Sequence, residues 1–377
     1  MTSAKKKIFS VLLVVLLLAA TLSTMSACNI RKWKEGESVH KDGVYYTVYL
    51  WGRHATAHGF DKQSGDIYEI PSRIKYKGIK CTVTEFSAAA EIGRNIVCDD
   101  GVATELIVPN TVRSLNLSGF RWDQLDNLQA VTISADNPCY TSIDGVVYSR
   151  DKSELLYYPP AKSNHALLLP KETTIISDSL SSKSKLAFIS VESGNASYSA
   201  QDGVLLTADG TRLVCYPLNK TDATYVIPQK LSVLNTRHLE RNEYLKYLEV
   251  EQGNATFSAY NGDLYSADGS ILLYRPNEDV RYLELPDGVT TIGYGTLNRV
   301  RYLYVPKSLQ RVVFDAYYRY DDENATNPMG DIKYVYCESN ELPICLRYTK
   351  FTGSVSFSVS REQFQAEIER ARSEGLL

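Results

Sequence analysis

Histidine is scarce in this chain and cysteine is scattered, which removes most of the chemistry a metalloprotein or thiol enzyme would use. Only five histidines occur, at positions 40, 54, 58, 165 and 238. His54-Ala-Thr-Ala-His58 has the i, i+4 spacing of a zinc-peptidase helix, yet no glutamate follows His54. The flanking Trp51-Gly52 and Gly59-Phe60 predict a loop instead. His238 stands beside Arg237, Glu240 and Arg241 without a nucleophile, and is assigned to the surface. Apart from Cys28, the cysteines are Cys81, Cys98, Cys139, Cys215, Cys337 and Cys345, and no two form a CxxC pair. Neither a disulfide scaffold nor a zinc site is indicated, and whether Cys337 and Cys345 pair is left open. A glycine-rich phosphate loop and a Gly-x-Ser-x-Gly nucleophile turn are missing. The expectation is therefore no enzyme, no metal and no cofactor.

Basic excess is also lacking, since the formal charge is −3. That balance gives no support for nucleic-acid binding, which needs a cationic face. Long apolar runs are confined to Ile8–Ala20, which follows Lys5, Lys6 and Lys7 and is too short for a membrane span. Residues 1–27 read as an export signal. Met25-Ser26-Ala27-Cys28 resembles a bacterial lipobox, with Met25 where leucine is usual, and Cys28 is the expected acylation site. The alternative is an ordinary signal peptide cut nearby. Removing three lysines takes the charge from −3 to −6 over the remaining 350 residues. Several acyl chains on Cys28 would give stable anchoring, because each buried methylene adds about 0.8 kcal/mol. The mature chain is placed at the cell envelope, on the outer membrane or cell surface, with residues 28–40 as a short tether.

What the chain does have is a repeat. Asn137-Pro-Cys-Tyr140, Asn195-Ala-Ser-Tyr198 and Asn254-Ala-Thr-Phe257 align, and so do Asp144-Gly145, Asp202-Gly203 and Asn261-Gly262. The same register places Tyr158-Pro159 and Tyr216-Pro217 against Arg275-Pro276. Pro170, Pro228 and Pro286 are separated by 58 residues each. Such a period means stacked supersecondary units in place of a single pocketed core. Each repeat contains a hairpin, for example Val146-Val147-Tyr148 and Leu155-Leu156-Tyr157 around Ser149–Ser153. Its later turns are centred on Asp209-Gly210 and Asp268-Gly269, residues that accept positive φ cheaply. These acids lack the alternating oxygen pattern of a calcium loop and recur in register, so they are assigned to the scaffold. The recurring asparagines are assigned to satisfying turn backbone, and the five sequons to turn composition.

Short strands ending in proline make up the rest: Ile67–Pro71, Glu105–Pro109, Leu167–Pro170, Tyr225–Pro228, Tyr282–Pro286 and Tyr302–Pro306. Proline ends each because it has no ladder donor. An apolar residue usually follows at +3, as in Ile74, Val112, Leu231, Val289 and Leu309. Val44–Trp51 alternates as a capping strand should. Ser360-Arg-Glu-Gln363 is a capping box, with Phe364 and Ile368 on one face, predicting a closing helix over 360–374. A partner-binding helix is the alternative.

These "IP..I", "LP..V" and "VP..L" segments, interleaved with "N..YS..DGVLYS.DGT.L..YP" units, resemble the BspA-like (Treponema pallidum type) leucine-rich repeats of bacterial surface proteins. The resemblance covers residues 67–340 and is best from Asn137 to Pro306. Phe86-Ser-Ala-Ala-Ala90 departs from it, since the family continues there with isoleucine-glycine and an alanine-phenylalanine pair. It implies a mainly β, leucine-rich-repeat solenoid of short parallel strands with inserted hairpins. A repeat domain over 41–340 with an N-terminal β cap, and a C-terminal cap with a helix over 341–377, follow. It also implies binding or adhesion, with host or matrix proteins as partners. A glycan- or peptide-binding envelope protein, or a pure scaffold, is the rival.

Binding is best sought where the period breaks. Pro306 to Tyr334 is 28 residues, against 16 from Pro286 to Tyr302. The excess carries Tyr317, Tyr318, Arg319 and Tyr320, the chemistry of interface hot spots, unless the tyrosines pack on the last repeat. The second break is Trp51–Gly65, with Trp51 as contact candidate. Tyrosines number 27, and alternation puts Tyr302 and Tyr304 opposite Leu303. Such a ladder suits either a partner or the covering of one repeat by the next.

Overall fold

The computed structural model describes residues 36–60, 66–87, 103–117, 126–177, 180, 184–276, 280–293, 295–297, 299–313, 332–347 and 353–377. The chain divides into two compact units, one of residues 1–165 with 170–186 and the other of 166–169 with 187–377. It is a mainly β leucine-rich-repeat fold with inserted hairpins and a C-terminal helix, Arg361–Ser373.

In the first unit, Glu37–Lys41, Val44–Tyr49 and His54–Phe60 form an antiparallel ribbon, and His54–Phe60 then runs parallel to Ile79–Ser87. Val44, Tyr46 and Val48 are buried, as alternation requires. The ribbon already begins at Glu37, within the stretch assigned to a tether. The loop expected around His54 and His58 is instead a strand. Paired along both edges, it buries six of its seven residues, and the chain turns earlier, with Arg53 at φ 50°. Next to this sheet, Ile67–Glu69, Glu105–Val108 and Ala130–Ile133 make a parallel ladder.

The second unit repeats that ladder: Ala166–Leu169 with Phe188–Val191, Thr224–Ile227 with Tyr247–Val250, and then Tyr282–Glu284, Tyr302–Val305, Tyr334–Cys337 and Ser354–Phe357. Pro170, Pro228, Pro286 and Pro306 close four of these strands as read. Their carbonyls then accept from the amide three residues on, as with Pro228 and Leu231 at 3.0 Å and Pro306 and Leu309 at 3.2 Å. This bend turns Val112, Leu231, Val289 and Leu309 into the core.

Each inserted hairpin is in fact a three-stranded meander, as in Tyr140–Ile143, Val146–Ser149 and Glu154–Tyr157. Asp144-Gly145, Asp202-Gly203 and Asn261-Gly262 all have two positive φ values, the requirement of a type I′ turn. The glycine carbonyl of each turn accepts from a ladder strand, namely from Val131, Ile189 and Leu248 at 2.8–3.0 Å. That bond ties meander to ladder. In the second turn, Asp151, Asp209 and Asp268 each accept from a hydroxyl two residues before, and from the amide and hydroxyl two residues after. Those bonds hold the three carboxyls down at about 2.

Asparagines pin the turns between strands. Asn137 donates to the Pro109 and Val112 carbonyls and accepts from the Cys139 and Tyr140 amides, all at 2.9–3.0 Å. Asn254 makes the equivalent four bonds. Asn242, outside the aligned set, donates to three carbonyls and accepts from two amides. Buried amide groups cost free energy unless paired, so these side chains serve as scaffold.

Candidate binding surfaces

Alternation in the parallel ladders leaves one row of side chains outside the core. Leu168 and Phe188 point outward from one strand pair, and Val226 and Tyr247 from the next. Phe188 and Tyr247 occupy the same place in their repeats, and both are 49% exposed. Their rings lie over the type I′ glycines, since a Cβ added to Gly203 would stand 2.5 Å from Phe188, and one added to Gly262 would stand 2.6 Å from Tyr247. Alternation along a strand does not by itself show which of its two faces is open.

Further along, the tyrosine row is covered by neither alternative proposed for it. Tyr302, Tyr304 and Tyr336 are buried beneath Phe364, Ile368 and Ala371 of the C-terminal helix. The capping box is present, with the Ser360 hydroxyl accepting from Gln363 N. The helix closes a sheet face. Arg361 bridges to Glu284 and Asp287 at 2.7 Å and lies 4.8 Å from the Tyr304 ring centre. Arg372 donates to the Tyr282 hydroxyl at 2.9 Å.

Between this helix and the third meander lies a cavity of 670 Å³, whose lining includes Tyr247, Tyr260, Asp263, Arg275, Tyr282 and Gln365. Arg275 Nε is 3.4 Å from Asp263, while its terminal nitrogens donate to the Thr296, Val280 and Tyr282 carbonyls. Burial, opposed by the Arg275 charge, pushes the Asp263 carboxyl up to about 6.

Trp51 sits in the turn before His54 and is 62% exposed. Tyr317, Tyr318, Arg319, Tyr320 and Cys28 lie outside the described residues. The paired histidines do not converge, because four strand residues span roughly 13 Å. His54 stacks on Tyr49. His58 Nδ1 donates to the Ser87 carbonyl at 3.0 Å, leaving Nε2 to accept from the Thr47 hydroxyl at 2.9 Å. Burial lowers its pKa, consistent with a neutral structural ring. Cys337 and Cys345 are both free thiols, and burial pushes Cys337 up to about 11. Among the described residues, no group of His, Cys, Asp and Glu is arranged to hold a metal ion.

Neither a protein-family model nor a curated protein matches the chain. Among solved structures, it is similar to the pneumococcal vaccine antigen PcpA, with TM-score 0.41, 18% identity and 86% of each chain covered. It is also similar to a leucine-rich cell surface protein from Faecalibacterium prausnitzii, with TM-score 0.36, 13% identity, and 74% of this chain and 95% of that one covered. A leucine-rich-repeat protein from Eubacterium ventriosum gives 0.35 and 16%, covering 85% and 79%. The leucine-rich-repeat assignment rests on the chain's own ladders and turns.

Proposed function

We propose that this protein is a cell-envelope binding module, held at the membrane by acylated Cys28, that presents its outward ladder face to a protein partner. The observation that carries this reading is the recurrence of exposed apolar side chains at equivalent places, Leu168 with Phe188 and Val226 with Tyr247. Stacking the repeats does not require an aromatic ring in water there; in the first repeat the equivalent residue is Ala130. Large amphipathic rings on a rigid sheet are the chemistry of interface anchors. Host or matrix proteins are the partners favoured by the family resemblance, and the Tyr317–Tyr320 segment is a further contact region.

Residues 29–377 should bind saturably to a member of a panel of matrix and host-surface proteins. A Leu168→Ser, Phe188→Ser, Val226→Ser variant with an unchanged melting temperature should bind at least about tenfold more weakly, as loss of an interface anchor does. Wild-type affinity in that variant would overturn the reading. For the anchor, Cys28→Ser should abolish incorporation of labelled fatty acid and release the protein from membranes; retention on the membrane would refute it.

A further inference from the structure

The third repeat departs from the other two at two positions together. Asp263 stands where the first two repeats have Val146 and Val204, and Arg275 stands where they have Tyr158 and Tyr216. All four of those residues are buried. Earlier repeats keep their buried cation elsewhere, with Lys162 against Asp144 and Lys220 against Asp222. Exchanging a buried apolar pair for an ion pair costs desolvation that attraction seldom recovers in full, so stacking alone does not account for it.

The exchanged pair lines the cavity beside the C-terminal helix. Arg275 is fixed by three carbonyls and serves as a positioning residue, holding Asp263 at the cavity wall. The lining carries three carboxylates, Asp263, Glu284 and Glu369, and three cations, Lys246, Arg275 and Arg372. With balanced charge, neither an anion nor a cation is selected overall. Tyr247 and Tyr260 offer half-exposed ring faces, and Asn261 and Gln365 offer planar amides. The volume lies within the roughly 300–1,000 Å³ of small-molecule sites.

A neutral ligand with one apolar C–H face and many hydroxyls fits this combination. Its C–H face would stack on a tyrosine ring, while carboxylate and amide groups in fixed planes would take neighbouring hydroxyls as donors and acceptors. We propose that this cavity is a binding site for a short neutral saccharide, with Asp263 as hydroxyl acceptor and Tyr260 or Tyr247 as stacking platform. The site shares Tyr247 with the outward ladder face but lies apart from Leu168, Phe188 and Val226, and the Asp263–Arg275 exchange that carries it does not depend on the protein-partner reading.

The test is titration of residues 29–377 with an array of neutral oligosaccharides, with sialylated and sulfated ones alongside, up to about 10 mM, the range of weak affinities. Saturable binding of at least one neutral saccharide is expected, weakened at least about tenfold by Tyr260→Ala with Tyr247→Ala. The double variant Asp263→Val, Arg275→Tyr restores the pattern of the earlier repeats. It should keep the wild-type melting temperature or exceed it, retain binding to any protein partner, and lose the saccharide. No neutral saccharide bound by the wild type, binding of charged saccharides only, or wild-type saccharide affinity in the folded double variant would each overturn the proposal. A double variant that failed to fold would also count against it, since it would make the ion pair structural.

Discussion

The ring of Phe364 lies 5.5 Å from that of Tyr304, so the C-terminal helix rests on the side of the sheet facing away from the leucine core. Phe364 also meets Tyr336 at 5.3 Å, edge to face. The helix therefore completes a second, aromatic layer in the second unit.

Phe364→Ala should destabilise that layer by about 3–5 kcal/mol, the usual cost of deleting a buried aromatic ring. Hydrogen exchange should show residues 361–373 losing protection before the ladder beneath them. Equal loss in the ladder and helix would mean the two unfold as one.

Asn242→Ala removes five hydrogen bonds and strands buried backbone groups, each worth roughly 1–3 kcal/mol when unpaired. Urea denaturation should show a loss above about 2 kcal/mol. Asn242→Asp should recover only part of it, because a carboxylate can accept from the Tyr244 and Leu245 amides but cannot donate to the Pro217, Leu218 and Lys220 carbonyls.

Gly203→Ala should be more costly than Gly210→Ala. Both have positive φ, 80° and 72°, at which alanine loses about 1–2 kcal/mol. Only at Gly203 would the added methyl meet a ring, that of Phe188, while nothing lies within 4 Å at Gly210. Phe188→Ala should relieve the excess, which a double-mutant cycle measures as a coupling.

Asp263 and the turn aspartates oppose one another in acid. Folding raises Asp263 to about 6 from 3.8, so the native state holds the extra proton between those values. Its contribution to stability is most favourable below the unfolded value and declines as pH rises from about 4 to 6, by at most about 3 kcal/mol. Asp263→Asn should therefore flatten the profile in that window relative to wild type. Asp151, Asp209 and Asp268, lowered to about 2, have the reverse sign: their contribution is present above 3.8 and is lost as pH falls toward 2. Denaturation midpoints at half-unit pH steps would separate the two. A profile for Asp263→Asn parallel to wild type would refute a raised Asp263.

Features carried by a few neighbouring residues were legible in advance. Proline stopped strands because its missing N–H acts where it stands, and Asp-Gly turned hairpins because φ is a property of one residue. Ser360 and Gln363 announced a helix for the same reason. His54–Phe60 misled because the flanking Gly52 and Gly59 read as loop punctuation; pairing along both edges outweighed that local signal. The candidate site was not legible. The repeat register set Arg275 against Tyr158 and Tyr216, but its partner Asp263, twelve residues away, became visible only when the meander brought the two together.

By itself the sequence determined the period, the turns, the strand ends and the last helix, all set by short-range sterics and hydrogen bonding. Only the tertiary structure decided which faces meet. It put the C-terminal helix over Tyr302, Tyr304 and Tyr336, left Phe188 and Tyr247 open, and opened a cavity beside Asp263. Alternation defines two faces of a strand, but burial of either depends on segments distant in the chain.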